Sequence, residues 1–269
     1  MRSPRFLRRT ALVLAVVLPG LPAALAGQAV TKAQPADTTR PKTVAILYFD
    51  NNTGKADYDG LGRGISAMLI TDLSALPQVK IVEREKLQQV LAEQQLQQLS
   101  LFDPATAVKT GKLLGAEYLL TGAFSAVDPQ MRIDTRVIRV ETGEVVRTAK
   151  VQGKSDDFFS LQQKLSHELV SALPVAISPE SMDSLRKQQE RNRNDDARTI
   201  VDFAAGLIRL DQHDYVGAVE KLGPAVVRSH DALVVQMSYD EAKRRVASSA
   251  KATAKEKVKS GLRGLFKRP

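Results

Sequence analysis

The chain predicts an α/β domain followed by a helical segment, and three observations carry that prediction. Residues 43–127 alternate short apolar runs with stripes at helical spacing. Residues 131–151 read as a two-stranded hairpin, and residues 199–228 hold two successive helical patterns with no strand between them.

Taken in order, residues 43–49 (TVAILYF) form an apolar, β-branched run of the kind buried in the middle of a sheet. A polar loop, 50–59, leads to Leu61, Ile65, Met68, Leu69, Asp72, Leu73 and Leu76, an apolar helical stripe broken only by Asp72. Residues 79–82 (VKIV) restore the strand pattern. Residues 85–99 are strong helix formers in which Leu87, Val90, Leu91 and Leu99 share a face. Asp103 is placed to cap the next helix: its carboxylate accepts orphan backbone N–H groups, Pro104 sits in the first turn where no N–H is needed, and Gly115 lies just past the end. Residues 117–127 (EYLLTGAFSAV) are strand-like and Asp128-Pro129 is a turn. Met131, Ile133 and Thr135 then alternate with Arg132, Asp134 and Arg136, which marks a half-solvated strand. The ETGE turn at 141–144, with Gly143 able to take a positive φ, joins it to an antiparallel partner at 145–151. Phe158, Leu161, Leu165, Leu169 and Leu173 form a closing helix over one sheet face.

Around this core the chain divides as follows. Arg2, Arg5, Arg8 and Arg9, the apolar core 12–18 and Ala24-Leu25-Ala26 read as a signal peptide over residues 1–26. Pro19, Gly20 and Pro22 interrupt its apolar core well short of the ~20 residues of a spanning helix. The context of Arg8-Arg9 fits ordinary export better than the twin-arginine route. Residues 27–42 are a flexible spacer, 43–174 the α/β domain, and 175–198 a polar linker or exposed helix. Residues 199–248 are a helical segment in which Gly206 and Ala218 permit a close antiparallel crossing, and 249–269 a basic tail.

The net charge of +9 is unevenly placed: the leader carries four basic and no acidic groups, and residues 243–269 carry ten basic and one acidic. The remaining body is net negative, so a nucleic-acid-binding fold is not expected. The chain has no cysteine, which excludes disulfides, thiolate metal sites, a cysteine nucleophile and a lipid-acceptor cysteine.

Chemistry-bearing motifs are sparse, and no catalytic, cofactor-binding or metal-ligating residue is expected. Gly60, Gly62 and Gly64 open a helix after a strand, where a phosphate loop would lie. Their spacing is G-x-G-x-G and no Lys-Ser/Thr follows, so they predict close backbone packing. Gly111-Lys112 lacks the rest of a P-loop. His167, His213 and His230 fall on separate helical segments without a second histidine at metal spacing and are read as solvent-facing. Asp50, Asp57 and Asp59, near Asn51 and Asn52, do not follow the EF-hand order and are read as loop-forming. Asn51-Asn52-Thr53 is a formal glycosylation sequon, better read as a turn. Val258, Leu262, Leu265 and Phe266 recur among basic residues in the tail, the pattern of a helix drawn to an anionic membrane surface.

The ordered set VAILYFDNNTG, LGRGISAMLITDLSAL, VKIVEREKLQQVLAEQ, DPATAVKTGKLLGAEYLLTG and the Thr142-Gly143 hairpin resembles the CsgG family, the curli-secretion fold related to the TolB amino-terminal domain and to lipoprotein activators of penicillin-binding proteins. The resemblance covers about 43–174. It implies a three-layer α/β sandwich-like domain with a mixed sheet, in an envelope protein without catalytic residues that acts by protein contact or as an export pore. Val82-Glu83-Arg84 and Leu114-Gly115-Ala116 match scaffold positions of that family. The helical segment resembles a single tetratricopeptide repeat with an extension at 231–248. Two departures speak against a pore: the lipid-acceptor cysteine is missing, and residues 117–151 are too compact to add membrane-spanning strands of ~9 to 11 residues with apolar outward faces. The expectation is therefore a non-enzymatic exported protein of the periplasm or outer-membrane periphery, not lipid-anchored. It would be an assembly or secretion adaptor with envelope-protein partners, possible self-association, no cofactor and no nucleic acid. A curli-type outer-membrane channel subunit and a periplasmic nucleotide- or sugar-binding enzyme are the alternatives.

Overall fold

The strand runs of the first half assemble into one mixed sheet. A computed structural model describes residues 40–93, 103–127, 129–192, 197–229 and 232–265, all within one compact unit, Ala36–Pro269. Residues 1–39, Leu99, Asp128, His230 and residues 266–269 lie outside the described residues, as do the side chains of Val258, Leu262 and Leu265. Strand β1 (Lys42–Ile46) pairs in parallel with β3 (Val79–Ile81) on one side and β4 (Tyr118–Val127) on the other. The short β2 (Asp50–Asn51) continues alongside β4. β5 (Gln130–Arg139) and β6 (Val145–Lys154) add antiparallel, giving the order β3-β1-β4-β5-β6.

Successive residues of the central strands point to opposite faces, and both faces are covered. Val44, Ile46, Leu120 and Phe124 enter one apolar cluster with α1 (Leu61–Leu73) and α4 (Phe158–Ala172). Ala45, Leu47, Leu119 and Ile138 enter another with α2 (Arg84–Glu93) and α3 (Pro104–Leu114). This is the expected three-layer arrangement. The ends of α3 follow their local chemistry: Asp103 accepts the Thr106 N–H at 2.9 Å, and Gly115 takes φ 67°. Gly143 takes φ 74° in the β5–β6 turn.

The first strand departs from its expected span of 43–49, since the regular ladder ends at Ile46. Leu47 still donates its N–H to the Leu120 carbonyl, but Phe49 turns its N–H toward the Gly62 carbonyl. A Cβ at Gly62 would lie 1.9 Å from the Phe49 carbonyl oxygen, so glycine is what lets α1 start against the strand end.

The stretch read as a polar linker contains a docked helix, α5 (Pro179–Asn192). Its apolar anchors are the fully buried Leu185 and the half-buried Met182, and amide groups add to them. Gln189 donates to the Asp72 carboxylate at 3.0 Å, as Gln162 of α4 does at 2.9 Å, and Gln163 donates to the Gln189 carbonyl at 2.9 Å. Asp72, the interruption in the α1 stripe, is therefore a buried polar post on which α4 and α5 converge. Burial raises its carboxyl above the ordinary value, against the lowering effect of the two amides.

Helices α6 (Ala197–Asp211) and α7 (Tyr215–Ser229) form an antiparallel hairpin, and α8 (Leu233–Leu265) packs on α7. Gly206 sits under Leu222, where a Cβ would come within 2.4 Å of its Cγ, which confirms the close crossing. The hairpin docks on α1: Ala204 lies against Gly60, and Phe203 and Leu207 join the same apolar cluster as Ile65.

Candidate functional site

The densest group of polar side chains lies where the helical extension meets the α/β domain. Tyr48 leaves the end of β1 and is buried. Arg63 comes from the first turn of α1 and Arg84 opens α2. Asp211, the last residue of α6, joins them: Arg63 Nε donates to one carboxylate oxygen at 2.7 Å, and Arg84 forms a charge-assisted bond to the other. Arg84 also reaches the Leu207 carbonyl at 3.2 Å and Glu241 of α8 at 3.3 Å. The Arg63 guanidinium stands 4.9 Å from the Tyr48 ring centroid, and Gln88 donates to the Tyr48 hydroxyl.

These charges are held largely away from water, with side-chain exposures of 15% for Arg84 and 5% for Asp211. Burial works against the Arg84 cation, yet the facing Asp211, Tyr48 and Glu241 outweigh it and hold its pKa above the usual value. Burial and the Asp211 charge push the Tyr48 phenol up, so it stays protonated. The network positions no nucleophile beside a base, and its groups are mutually paired. It fastens one part of the chain to another.

Above this floor a cleft of about 310 Å³ opens between α2, α8 and the α6–α7 turn. Glu85, Gln89 and Glu93 line the α2 wall at intervals of one turn, and Glu241 and Arg245 line the α8 wall. Arg245 is paired with Glu85 across the mouth. The end is closed by His213 and Tyr215, whose ring centroids are 5.9 Å apart at an interplanar angle of 34°. His213 occupies the left-handed region at φ 62° and terminates α6 with two backbone bonds, His213 N–H to Leu210 and Asp214 N–H to Arg209. Glycine is the usual residue at that position, and a side chain there costs about 1 kcal/mol. Asp214 then caps α7 by accepting the Gly217 N–H at 3.0 Å, which lowers its carboxyl pKa.

The other motifs singled out from sequence are structural where they are described. Gly60 and Gly62 are closed off by Ala204 and the Phe49 carbonyl, and Gly111 by Val140. Asn51 donates to Asp59 at 2.7 Å and to the Lys55 carbonyl at 2.9 Å, so these polar groups hold the loop. Asp57 is exposed in that loop, His213 is exposed, and His167 is half-buried on α4. Among the described residues no group of three or more His, Cys, Asp or Glu could hold a metal, and no helix is long and apolar enough to cross a membrane. Sequence reasoning missed Tyr48, Arg63, Asp211 and Glu241. Asp211 lies 148 residues from Arg63 and 127 from Arg84, and no local pattern announces such a pairing.

The model of the CsgG family, described as the curli production assembly/transport component CsgG, matches residues 25–132. This part of the chain is CsgG-like. The matched span runs through α1, the Val82-Glu83-Arg84 motif and β4, and ends in β5. Asp211 and Glu241, the partners of Arg84, lie beyond it. A curated relative, "Putative adenylate cyclase 3" of Rhizobium meliloti (strain 1021), is 24% identical over 136 residues, covering 51% of this chain and 22% of the relative. The chain thus spans about a fifth of that relative. Among solved structures, the LpoB C-terminal domain from Salmonella enterica is 18% identical, with 45% of this chain and 87% of that one covered at a TM-score of 0.38. The PelC dodecamer from Paraburkholderia phytofirmans is 21% identical, with 51% and 91% covered at 0.33. TolB from Acinetobacter baumannii is 12% identical, with 49% and 28% covered at 0.32.

Proposed function

We propose that this chain is an exported, non-enzymatic cell-envelope protein that works through protein contacts, as an assembly or secretion adaptor in the periplasm or at the outer-membrane periphery. The observation that carries the reading is the match of residues 25–132 to a family described as an assembly and transport component. The glycines at the start of α1 pack against backbone and Ala204, which favours a scaffold over a nucleotide site. The helical extension, fastened through Asp211, supplies a second contact surface. Residues 247–256 of α8 are all exposed, which suits a basic arm reaching an anionic membrane surface. Against the channel reading, β5 presents Arg132, Asp134 and Arg136 on one face, and α4 lies against β6. Fractionation combined with native mass measurement tests the proposal. Release as a soluble or peripheral species, with an envelope protein recovered at defined stoichiometry, is the expected result. A ring that withstands mild detergent would transfer the assignment to the channel, and a pull-down holding only abundant bystanders would remove the adaptor role.

A further inference from the structure

We propose that the free edge of β6 docks an extended acidic segment of a partner protein, which joins the sheet as a further strand. The inference deepens the adaptor reading and rests on it for the source of that strand. It begins with the hydrogen-bond register. Ser155 N–H meets the Pro129 carbonyl at 2.8 Å, and these two residues continue the register in which Gln130 faces Lys154. Bonded and non-bonded pairs alternate along an antiparallel ladder, so Met131, Ile133 and Thr135 exchange bonds with Gly153, Val151 and Ala149. Thr148, Lys150, Gln152 and Lys154 fall on the other phase. Their backbone N–H and C=O groups point away from β5, and β6 is the last strand of the sheet. Those outward groups meet no backbone or side-chain partner among the described residues.

Edges are commonly blunted by shortness, a bulge, a proline or a charge, and β6 relies on charge alone. It spans ten residues against three in β3 at the opposite edge, its irregularity lies at the level of Val137 and Ile138, and it holds no proline. Arg147, Lys150 and Lys154 are exposed, no acidic residue stands in the strand, and none of the three enters an ion pair among the described residues. Asp134, across from Lys150, is taken by Arg132 through bonds of 2.7 and 2.6 Å. Such an edge repels a second copy of itself, because two β6 strands side by side would bring only basic charges together. The same charges attract a strand of opposite sign. Its pattern follows from the two faces: residues bonded to Thr148, Lys150, Gln152 and Lys154 share the face of those side chains and are acidic. The alternate residues lie on the face that α4 covers, beside Ala149 and Val151, and are apolar.

Fluorescence anisotropy of the labelled peptide TEVEVEVTG with the full chain tests the proposal, with TKVKVKVTG as the basic counterpart. Saturable binding of the acidic peptide with a Kd below about 1 mM at low salt is expected, and roughly tenfold weaker binding of the basic one. N-methylation of the glutamate amides, which face the edge, should abolish binding at unchanged charge; N-methylation of the valine amides, which face away, should preserve it. Amide exchange should slow at Thr148, Lys150, Gln152 and Lys154 and stay unchanged at Ala149 and Val151, which β5 already holds. Lys150→Glu, an exposed change, should keep Tm within about 2 °C and weaken the acidic peptide roughly fivefold to tenfold. In Lys150→Glu/Lys154→Glu the preference should pass to the basic peptide. The proposal is overturned by no saturable binding, by equal binding of the two N-methylated peptides, or by an affinity that Lys150→Glu leaves unchanged. A dimer of the free chain that slows the same amides would give the edge to a second copy instead. An envelope partner recovered equally by the parent and by Lys150→Glu would keep the adaptor role and remove this edge as its docking site. Peptide binding beside a pull-down of bystanders alone would keep the edge and remove the adaptor role.

Discussion

Asp72 concentrates the physics of this fold at a single residue. It is a carboxylate in the middle of an apolar stripe, retained because two glutamine amides from different helices end on it. Because burial raises its pKa, the folded chain keeps the proton to a higher pH than the unfolded chain does. In the window above the ordinary carboxylate pKa the unfolded state binds fewer protons, so this residue's contribution to stability is lost as pH rises through the raised value. Asp72→Asn keeps an oxygen for both amides and removes the ionisation. Its denaturation midpoint should gain on the parent as pH rises above about 4, the ordinary carboxylate value, and a constant difference from there upward would refute the account. Asp72→Leu strands both amides and should cost about 1–3 kcal/mol for each. The glycines of α1 allow an equally local test. Gly62→Ala drives a methyl into the Phe49 carbonyl and should cost about 2–4 kcal/mol. Gly64→Ala, with 3.9 Å of room to Phe203, should be neutral or stabilise by up to about 1 kcal/mol, as alanine does in a helix. Urea midpoints of the two variants settle whether G-x-G-x-G is packing or a phosphate cradle.

Among the elements, those that carry their own punctuation are legible in the sequence. Helix α3 holds its cap, its first-turn proline and its terminal glycine within twelve residues of one another. The β5–β6 hairpin shows an alternation over residues 131–136 and a glycine in the turn. Helix α5 is not legible as a docked element, since amide-to-carboxylate bonds replace most of the apolar stripe by which packing is normally read. The junction network is invisible for a different reason: it joins residues from five separated parts of the chain, and charged side chains are ordinarily surface residues. Its energetic weight is nevertheless large. Asp211→Ala would take from Arg63 and Arg84 the carboxylate they share, leaving Arg84 only the Leu207 carbonyl and Glu241, and breaking a buried pair in this way costs about 3–5 kcal/mol. Hydrogen exchange should then rise in α6 and α7 ahead of β4 and β5, because the loss falls on the docking of the extension. Uniform exchange across the chain would mean that the two parts unfold as one and that Asp211 is not a local fastening. Arg245→Ala, at the exposed mouth, should cost no more than about 1 kcal/mol.

For the whole molecule the governing asymmetry is charge. Residues 27–242 are net negative, while residues 243–269 carry ten basic groups against one acidic. In the structure α8 continues as helix to Leu265, well past Arg245, which makes its last ion pair with the body among the described residues. Residues 247–256 of this arm are exposed, and a helix without tertiary contacts is marginal in water. The proposed contact with an anionic bilayer would stabilise it, each basic residue near the surface contributing about 1 kcal/mol at physiological salt. The arm and the body should therefore be separable. Deleting residues 249–269 removes only groups that are exposed where they are described, so Tm should stay within about 2 °C of the parent. Sedimentation with vesicles of phosphatidylglycerol and phosphatidylethanolamine should fall to the level seen with phosphatidylcholine alone. The parent's binding should also weaken steeply between about 0.05 and 0.5 M salt, as screening shortens the reach of the charges. Retention of vesicle binding by the truncated chain would move the membrane contact to the body. Loss of stability would instead make the arm a packed part of the fold.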